Sequence, residues 1–425
     1  MTGLLTSKII RNFVSVSSIH LANKALSITI TVYLARVLSA EGFGSIEFAR
    51  ALLVYFAAFT NLGLETFGLR EAAKHKKKIP SYVDTILSIR ALTVIFSYIG
   101  YALVVLLKGF PYDFSIAVLI MGLILFGQAA SVNFVFLALE KAGVIARRTI
   151  TVNIATVGFT FLFVKSASDI WVAALIIIIS SVVTAFWIIL KYSSDYRIPR
   201  FSFDFEAWHN ILKESLPMAL SFFIVGIHTT VDVIMLGLIK SQYDVGIYSA
   251  AYKVVMFLLL PLQVIVQTFF PRLAASKING NQKMESIRFA IVLVLAGLVS
   301  GVSCFVLADQ IILWLFGIKY SPSIIILKIL SASVLISYIN SIFADFLVAW
   351  NKQNLYLIVV TVSVIVNIIL NLLIIPEFGG VGAASVTVLG KFVMLSLLAF
   401  FTYRYRETIF SFPSVVKYQT HDRIV

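Results

Sequence analysis

Runs of about 20 predominantly apolar residues recur from one end of this 425-residue chain to the other. Each run is long enough to cross the ~30 Å hydrocarbon core of a bilayer as a helix. Within hydrocarbon every backbone N–H and C=O must be paired inside the protein, which leaves helices or a closed barrel. A barrel would show short segments of alternating polarity, and none is present. Only 13% of the residues are charged, against about 25% in soluble domains, so no stretch reads as a separate aqueous domain. The expected fold is an all-α integral membrane protein of about 12 transmembrane helices. The spans are placed at residues 13–35, 45–66, 83–106, 115–138, 148–165, 171–190, 216–238, 247–269, 286–308, 322–348, 355–375 and 381–403.

The net charge of +14 raises the question of nucleic acid, and its distribution answers it. With the N-terminus inside, about 24 of the 34 Lys+Arg fall in or beside cytoplasmic segments, and about five fall on the other side. The run Lys74-His75-Lys76-Lys77-Lys78, the pair Arg147-Arg148 and the 191–213 segment carry much of this bias. The basic balance is topogenic: both termini are expected in the cytoplasm, with no nucleic acid as partner. The single Cys304 excludes an internal disulfide and a cysteine metal cluster. No HExxH, CxxC, GxSxG or GxxxxGK[ST] pattern occurs, so neither a metal, a cofactor nor a motif enzyme is expected.

The longest hydrophilic segment falls near the middle of the chain. It divides the sequence into a six-helix lobe (1–190), a cytoplasmic linker (191–215), a second six-helix lobe (216–403) and a cytoplasmic tail (404–425). Within the linker, Asp204 to Lys213 reads as an amphipathic helix on the inner membrane surface. The lobes read as repeats. Gly44-x-Ile46-x-x-Ala49 opens the second span and Gly246-x-Tyr248-x-x-Ala251 opens the eighth. His20-x-x-x-Lys24 in the first span has a counterpart, His228-x-x-x-Asp232, in the seventh. Duplicated bundles with a ligand site at their interface are a common plan of transporters. Pro217 and Pro261 are candidates to kink the seventh and eighth spans.

Polar residues inside the spans point to a cavity. Ser17, His20, Lys24, Ser27 and Thr31 recur at steps of three and four and share one helix face. Lys24, Arg50, Lys253, Lys328 and Lys391 are read as cations within spans; at about 3 kcal/mol each, facing lipid would cost on the order of 15 kcal/mol. Arg50, Lys253 and Lys328 have a second reading, as side chains that snorkel to the outer surface. Lys24 and Lys391 lie near mid-span, where that escape is poor. The internal acids are Asp232 and Asp345, with Glu47 and Glu65 expected at the interfaces. That leaves a positive interior, suited to an anion such as a phosphate, pyrophosphate or acidic sugar. Two readings fit Asp232: a structural partner of His228 or Lys253, or a titrating or Na⁺-binding group in ion coupling. His20 likewise reads as a hydrogen-bonded bundle histidine or a proton relay.

Several segments resemble a known family. Arg36-Val37-Leu38-Ser39-Ala40-Glu41-Gly42-Phe43-Gly44 is similar to the loop after the first helix of polysaccharide-biosynthesis flippases. Gly63-Leu64 with Gly68-Leu69-Arg70-Glu71-Ala72-Ala73 is similar to the segment after their second helix. Asp232-x-x-x-Leu236-Gly237 with Val245-Gly246-Ile247-Tyr248-Ser249-Ala250-Ala251 resembles their seventh and eighth helices. Pro271-Arg272-Leu273-Ala274 and Gly379-Gly380-Val381-Gly382-Ala383-Ala384 also fit. The chain thus resembles the O-antigen and capsular repeat-unit flippases (Wzx-like) of the multidrug/oligosaccharidyl-lipid/polysaccharide (MOP) exporter superfamily. The resemblance implies two six-helix lobes around a V-shaped cavity, alternating access, and a bacterial inner-membrane location. It implies an undecaprenyl-pyrophosphate-linked oligosaccharide moved from the cytoplasmic to the outer leaflet. With no nucleotide-binding pattern in the chain, the energy is expected from an H⁺ or Na⁺ gradient or from consumption of the product, and polysaccharide polymerase and chain-length proteins are candidate partners. Lys24, Arg50 and Lys253 carry over as cavity residues; Lys328 and Lys391 lie on more peripheral helices. The alternatives are a multidrug exporter of the same superfamily, which would prefer an acidic cavity, and a membrane polymerase or ligase, which would need larger external loops.

Overall fold

The computed structural model describes residues 23–279 and 282–405, without the side chains of 276–279 and 282–283. Ser17, His20 and the tail from 406 lie outside the described residues. All regular structure among the described residues is helical: α1 (residues 23–37), α2 (Ser39–Asn61), α3 (Leu64–Lys74), α4 (Ile79–Lys108), α5 (Tyr112–Gly122), α6 (Ile124–Ala129), α7 (Asn133–Ala138), α8 (Ala142–Phe163), α9 (Ile170–Asp195), α10 (Phe205–Ile239), α11 (Gln242–Leu258), α12 (Leu260–Asn279), α13 (Gln282–Val306), α14 (Ala308–Leu315), α15 (Ser323–Ala349) and α16 (Gln353–Arg404).

Nine helical stretches among the described residues have the length and hydropathy of a membrane span. Two expected spans lie within one of them: α16 breaks at Gly379, where φ 53° and ψ −132° are open to glycine and unfavourable to other residues. The helix α8 has the length of a span but carries Arg147, Arg148 and Asn153. With α1, the set is consistent with about twelve spans. Along α4 the exposed large residues are Leu92, Ile95, Phe96, Ile99, Leu103 and Leu106, while Val83, Ile86, Ile89, Val94, Tyr101 and Val105 are buried. Both sets keep a helical period; the inward face also carries Asp84, Ser88, Arg90 and Ser97, whereas the outward stripe is apolar. The outward stripe is a lipid face, since water would oppose such a surface.

The chain divides into two compact units. One runs to Ala250 and adds Ile312–Pro322 and Ile375–Gly380; the other comprises Ala251–Ile311, Ser323–Ile374 and the chain from Val381. In the first unit α10 packs along α2, and α9 packs against α5, α6 and α8. The helix α1 is tied to α8 and its C-terminal end, where Asn153 Nδ2 donates to Asn23 Oδ1 (3.0 Å) and Tyr33 OH donates to Val164 O (2.7 Å). In the second unit α13 lies along α15; a Cβ at Gly297 would fall 2.8 Å from Cβ of Tyr338, so only glycine permits the approach. The break between α11 and α12 falls at Leu259, two residues before Pro261, as a proline in the first turn of a new helix favours.

The duplicated glycines meet each other's helices. A Cβ on Gly44 would lie 1.8 Å from the carbonyl oxygen of Gln242, and one on Gly246 would lie 1.9 Å from that of Ala40. The offset of 202 residues that relates Gly44 to Gly246 also relates Ala40 to Gln242. Each copy of the motif therefore packs on its counterpart reciprocally, a local two-fold arrangement.

The segment from Asp204 to Lys213 opens α10 and continues through Pro217 to Ile239 as one 35-residue helix. At 1.5 Å per residue this is about 50 Å, well beyond the ~30 Å of hydrocarbon, so part of it extends past the core. Its apolar side is covered by protein: Trp208 and Ile211 are buried in a cluster with Phe67, Val83, Phe134 and Tyr192. Asp204 caps the helix by accepting from Ala207 N (3.0 Å). Ahead of it the linker is fastened to α4, where Asp84 accepts from Arg200 N (2.8 Å) and pairs with Arg197, and Ser88 Oγ accepts from Ser202 N (2.7 Å). The Asp84 carboxylate beside it raises the Arg197 guanidinium above its ordinary value.

Candidate functional site: a polar cavity in the first unit

The first unit holds a cavity of about 480 Å³ whose wall is drawn from α2, α4, α6, α9, α10 and the connections around α3 and α7. Its charged centre is Arg90, 2% exposed, on α4. The guanidinium Nη2 donates to Glu65 Oε2 (2.9 Å) and to Asn61 Oδ1, and Nη1 donates to the carbonyl of Ser131 (2.8 Å). Local structure makes these acceptors available. Asn61 closes α2 and also accepts from Glu65 N (3.1 Å), while Glu65 sits in the first turn of α3. Ser131 lies where the backbone is non-helical between α6 and α7, so its carbonyl is released from a helical ladder. Asn133, the first residue of α7, accepts from Arg148 Nη1 (2.9 Å), and Arg148 is 3% exposed.

The sequence-derived candidates have varied surroundings. In the first unit Lys24 is exposed, beside exposed Ser27, whereas Thr31 is buried and donates to Ser27 O (2.9 Å). Arg50 pairs with Glu47 at 2.7 Å, and Glu47 is buried at 6% rather than reaching an interface. The reason is local: the two residues are three apart on α2, so they meet on one face of the helix. Asp232 is buried and accepts from Tyr248 OH (3.1 Å), a partner absent from the two sequence readings; His228 is half-buried on the same helix.

In the second unit Lys328 pairs at 2.7 Å with Asp309 of α14, a half-exposed carboxylate, which is the geometry of a side chain reaching a surface. Lys391 Nζ donates to Ser337 Oγ (2.7 Å). Both partners involve α15, but residues 328 and 337 are about 13 Å apart along its axis, so Lys328 and Lys391 are held at different levels. Lys253 is half-buried on α11.

Arg90 and Arg148 are two further buried cations beyond the five read from the sequence. Position 90 falls inside the third apolar run, which was a sufficient signal; position 148 opens the fifth and reads from sequence as a topogenic charge. Glu65, expected at an interface, is instead the ion-pair partner of Arg90. Among the described residues no group of three metal-ligating side chains occurs.

The model for polysaccharide biosynthesis proteins matches residues 9–277, more than half of the chain. The chain belongs to the polysaccharide biosynthesis protein family. As a member of this family it is 23% identical over 400 residues to a putative O-antigen transporter of Escherichia coli K12, covering 92% of this chain and 96% of that one. It is 27% identical over 310 residues to a putative O-antigen transporter of Shigella dysenteriae, covering 68% and 74%. A probable low-salt glycan biosynthesis flippase, Agl15 of Haloferax volcanii, is 28% identical over 255 residues; 59% of this chain is matched, and it spans about half, 52%, of the relative's length. Among solved structures this polysaccharide biosynthesis protein resembles the lipid II flippase MurJ in an inward closed conformation. The TM-score is 0.74 at 17% identity, over 92% of this chain and 87% of that one. It also resembles an inward-facing multidrug resistance transporter of the MATE family and MOP superfamily, with a TM-score of 0.68 at 12% identity, over 91% and 96%. At these identities the likeness is one of fold: a multi-pass membrane protein built like a MOP transporter.

Proposed function

We propose that the protein is a flippase that carries an undecaprenyl-pyrophosphate-linked oligosaccharide from the cytoplasmic to the outer leaflet by alternating access. The observation that carries this reading is family membership combined with a hydrogen-bonded polar cavity among spanning helices. A charged headgroup cannot cross hydrocarbon unaided, and a shielded polar path through the protein removes that barrier. No bond is made or broken. The transporter and flippase names of the relatives support transport rather than catalysis.

In this proposal the lobes are residues 1–190 and 216–403, with the 191–215 linker and both termini cytoplasmic, in a bacterial inner membrane. Lys24, Arg50, Lys253, Lys328 and Lys391 supply positive charge for the pyrophosphate, Arg50 and Lys328 by exchanging their Glu47 and Asp309 partners for it, and His20, His228 and Asp232 take part in coupling to H⁺ or Na⁺. The test is translocation of a fluorescent undecaprenyl-pyrophosphate oligosaccharide in proteoliposomes. Wild-type protein is expected to move it, and single Lys→Ala changes at 24, 253 and 391 to slow it at least several-fold. If all three variants transport normally, the cationic role is wrong; if wild-type protein moves cationic drugs and no lipid-linked glycan, the multidrug reading replaces this one.

A further inference from the structure

We propose that the Arg90 cavity is a subsite for the glycan: it receives one or two neutral pyranose rings adjoining the lipid pyrophosphate, and not the pyrophosphate itself. This rests on the flippase reading and assigns a ligand class to one of its cavities.

Charge is the first argument. The wall contains one guanidinium and one carboxylate, and they are paired to each other at 2.9 Å. A diphosphate needs uncompensated positive charge to replace its lost hydration, and this wall offers little. A sugar needs the opposite: many neutral donors and acceptors at close spacing. Asn61, Gln128, Ser131, Asn133, Ser181 and Thr184 supply them. Two buried atoms of the wall residues, Arg90 Nε and Ser131 Oγ, have no hydrogen-bond partner among the described residues. Both can donate to an incoming sugar hydroxyl, and a buried polar group left unpaired is destabilising.

Shape is the second argument. A pyranose has an apolar face as well as a polar rim. Here Phe222, an aromatic ring 53% exposed, stands in the wall with small residues including Ala57, Ala58 and Gly127. A volume of about 480 Å³ lies in the ~300–1,000 Å³ range of small-ligand pockets, room for one or two rings and not for a whole repeat unit with its diphosphate. The connections that bound the cavity, at Asn61–Glu65 and Ala129–Asn133, belong to the cytoplasmic half in the proposed topology, the side from which a lipid-linked glycan is loaded.

The test compares affinities of the purified full-length protein in nanodiscs for bare undecaprenyl-pyrophosphate and for the same lipid bearing each of a panel of single neutral hexoses and N-acetylhexosamines. Wild-type protein is expected to bind at least one glycosylated lipid about tenfold more tightly than the bare one. Gln128→Ala and Thr184→Val, which remove neutral polar groups from the cavity wall, are expected to bring that ratio to within about twofold; Phe222→Ala is the independent third variant. Folding of each is checked by its melting temperature. A ratio unchanged in all three variants, or no glycosylated lipid preferred over the bare lipid, overturns the glycan subsite while leaving a flippase intact. Equal weakening of both lipids assigns the cavity to the diphosphate and also overturns it. Failure of the wild-type protein to bind any of these lipids overturns the flippase reading itself.

Discussion

At Arg90 one guanidinium collects acceptors from three parts of the chain: Asn61 at the end of α2, Glu65 at the start of α3, and the Ser131 carbonyl between α6 and α7. A planar fork can serve three such acceptors at once, and a lysine ammonium cannot hold the same geometry. Arg90→Ala strands Glu65 and Asn61. Breaking a buried pair costs roughly 3–5 kcal/mol, and the low end applies because Glu65 is one-third exposed. A drop in melting temperature is expected for Arg90→Ala, with Glu65→Gln milder because the amide oxygen still accepts. A second residue-scale prediction concerns pH. The Lys328 ammonium beside Asp309 holds its carboxyl below the usual carboxylate range. A depressed carboxylate contributes stability above its unfolded pKa of about 3.9, lost as pH falls through the folded value. The melting-temperature difference between wild type and Asp309→Asn should therefore persist at neutral pH and close below about pH 4. A difference that grows on acidification would contradict the pairing.

Helices α2 and α11 cross where each has a glycine, and neither backbone has space for a side chain. Gly44→Val and Gly246→Val must push apart carbonyl-to-glycine contacts under 2 Å from the added Cβ, which exceeds the 1–3 kcal/mol typical of overpacking. Both are expected to abolish folded yield in detergent, and normal yield from either would deny the crossing. At the other end of the unit, α10 is held by its first turns. Trp208 is buried with Phe67 and Phe134, and Arg70 ties α3 to Glu214. Trp208→Ala should cost about 3–5 kcal/mol, read by thermal unfolding. A helix merely resting on lipid would lose far less. Pro217→Ala is expected to leave stability nearly unchanged, because α10 already runs through that position without a break.

Across the whole molecule the proposed topology puts both chain ends and the linker on one side. Reporter fusions at residue 202 and at the C-terminus should score cytoplasmic, and a fusion at residue 111 should score external; any inversion refutes the charge-based orientation. Apolar run length by itself determined the helical membrane fold and nearly every span, because hydrocarbon admits no other backbone arrangement for such runs. The polar positions inside those runs were equally visible, including Arg90, since a charge in an apolar stretch stands out whatever its surroundings. Which charges neutralise each other was decided only by tertiary structure. Glu47 with Arg50 was accessible from helical spacing, but Glu65 with Arg90 and Asp309 with Lys328 join residues on different elements. The fate of the 204–213 segment was decided the same way: its amphipathic pattern is identical for a lipid surface and for a protein groove, and only the packing of Trp208 and Ile211 distinguishes them. Periodicity records that a face is apolar; the partner that covers it comes from parts of the chain far away in sequence.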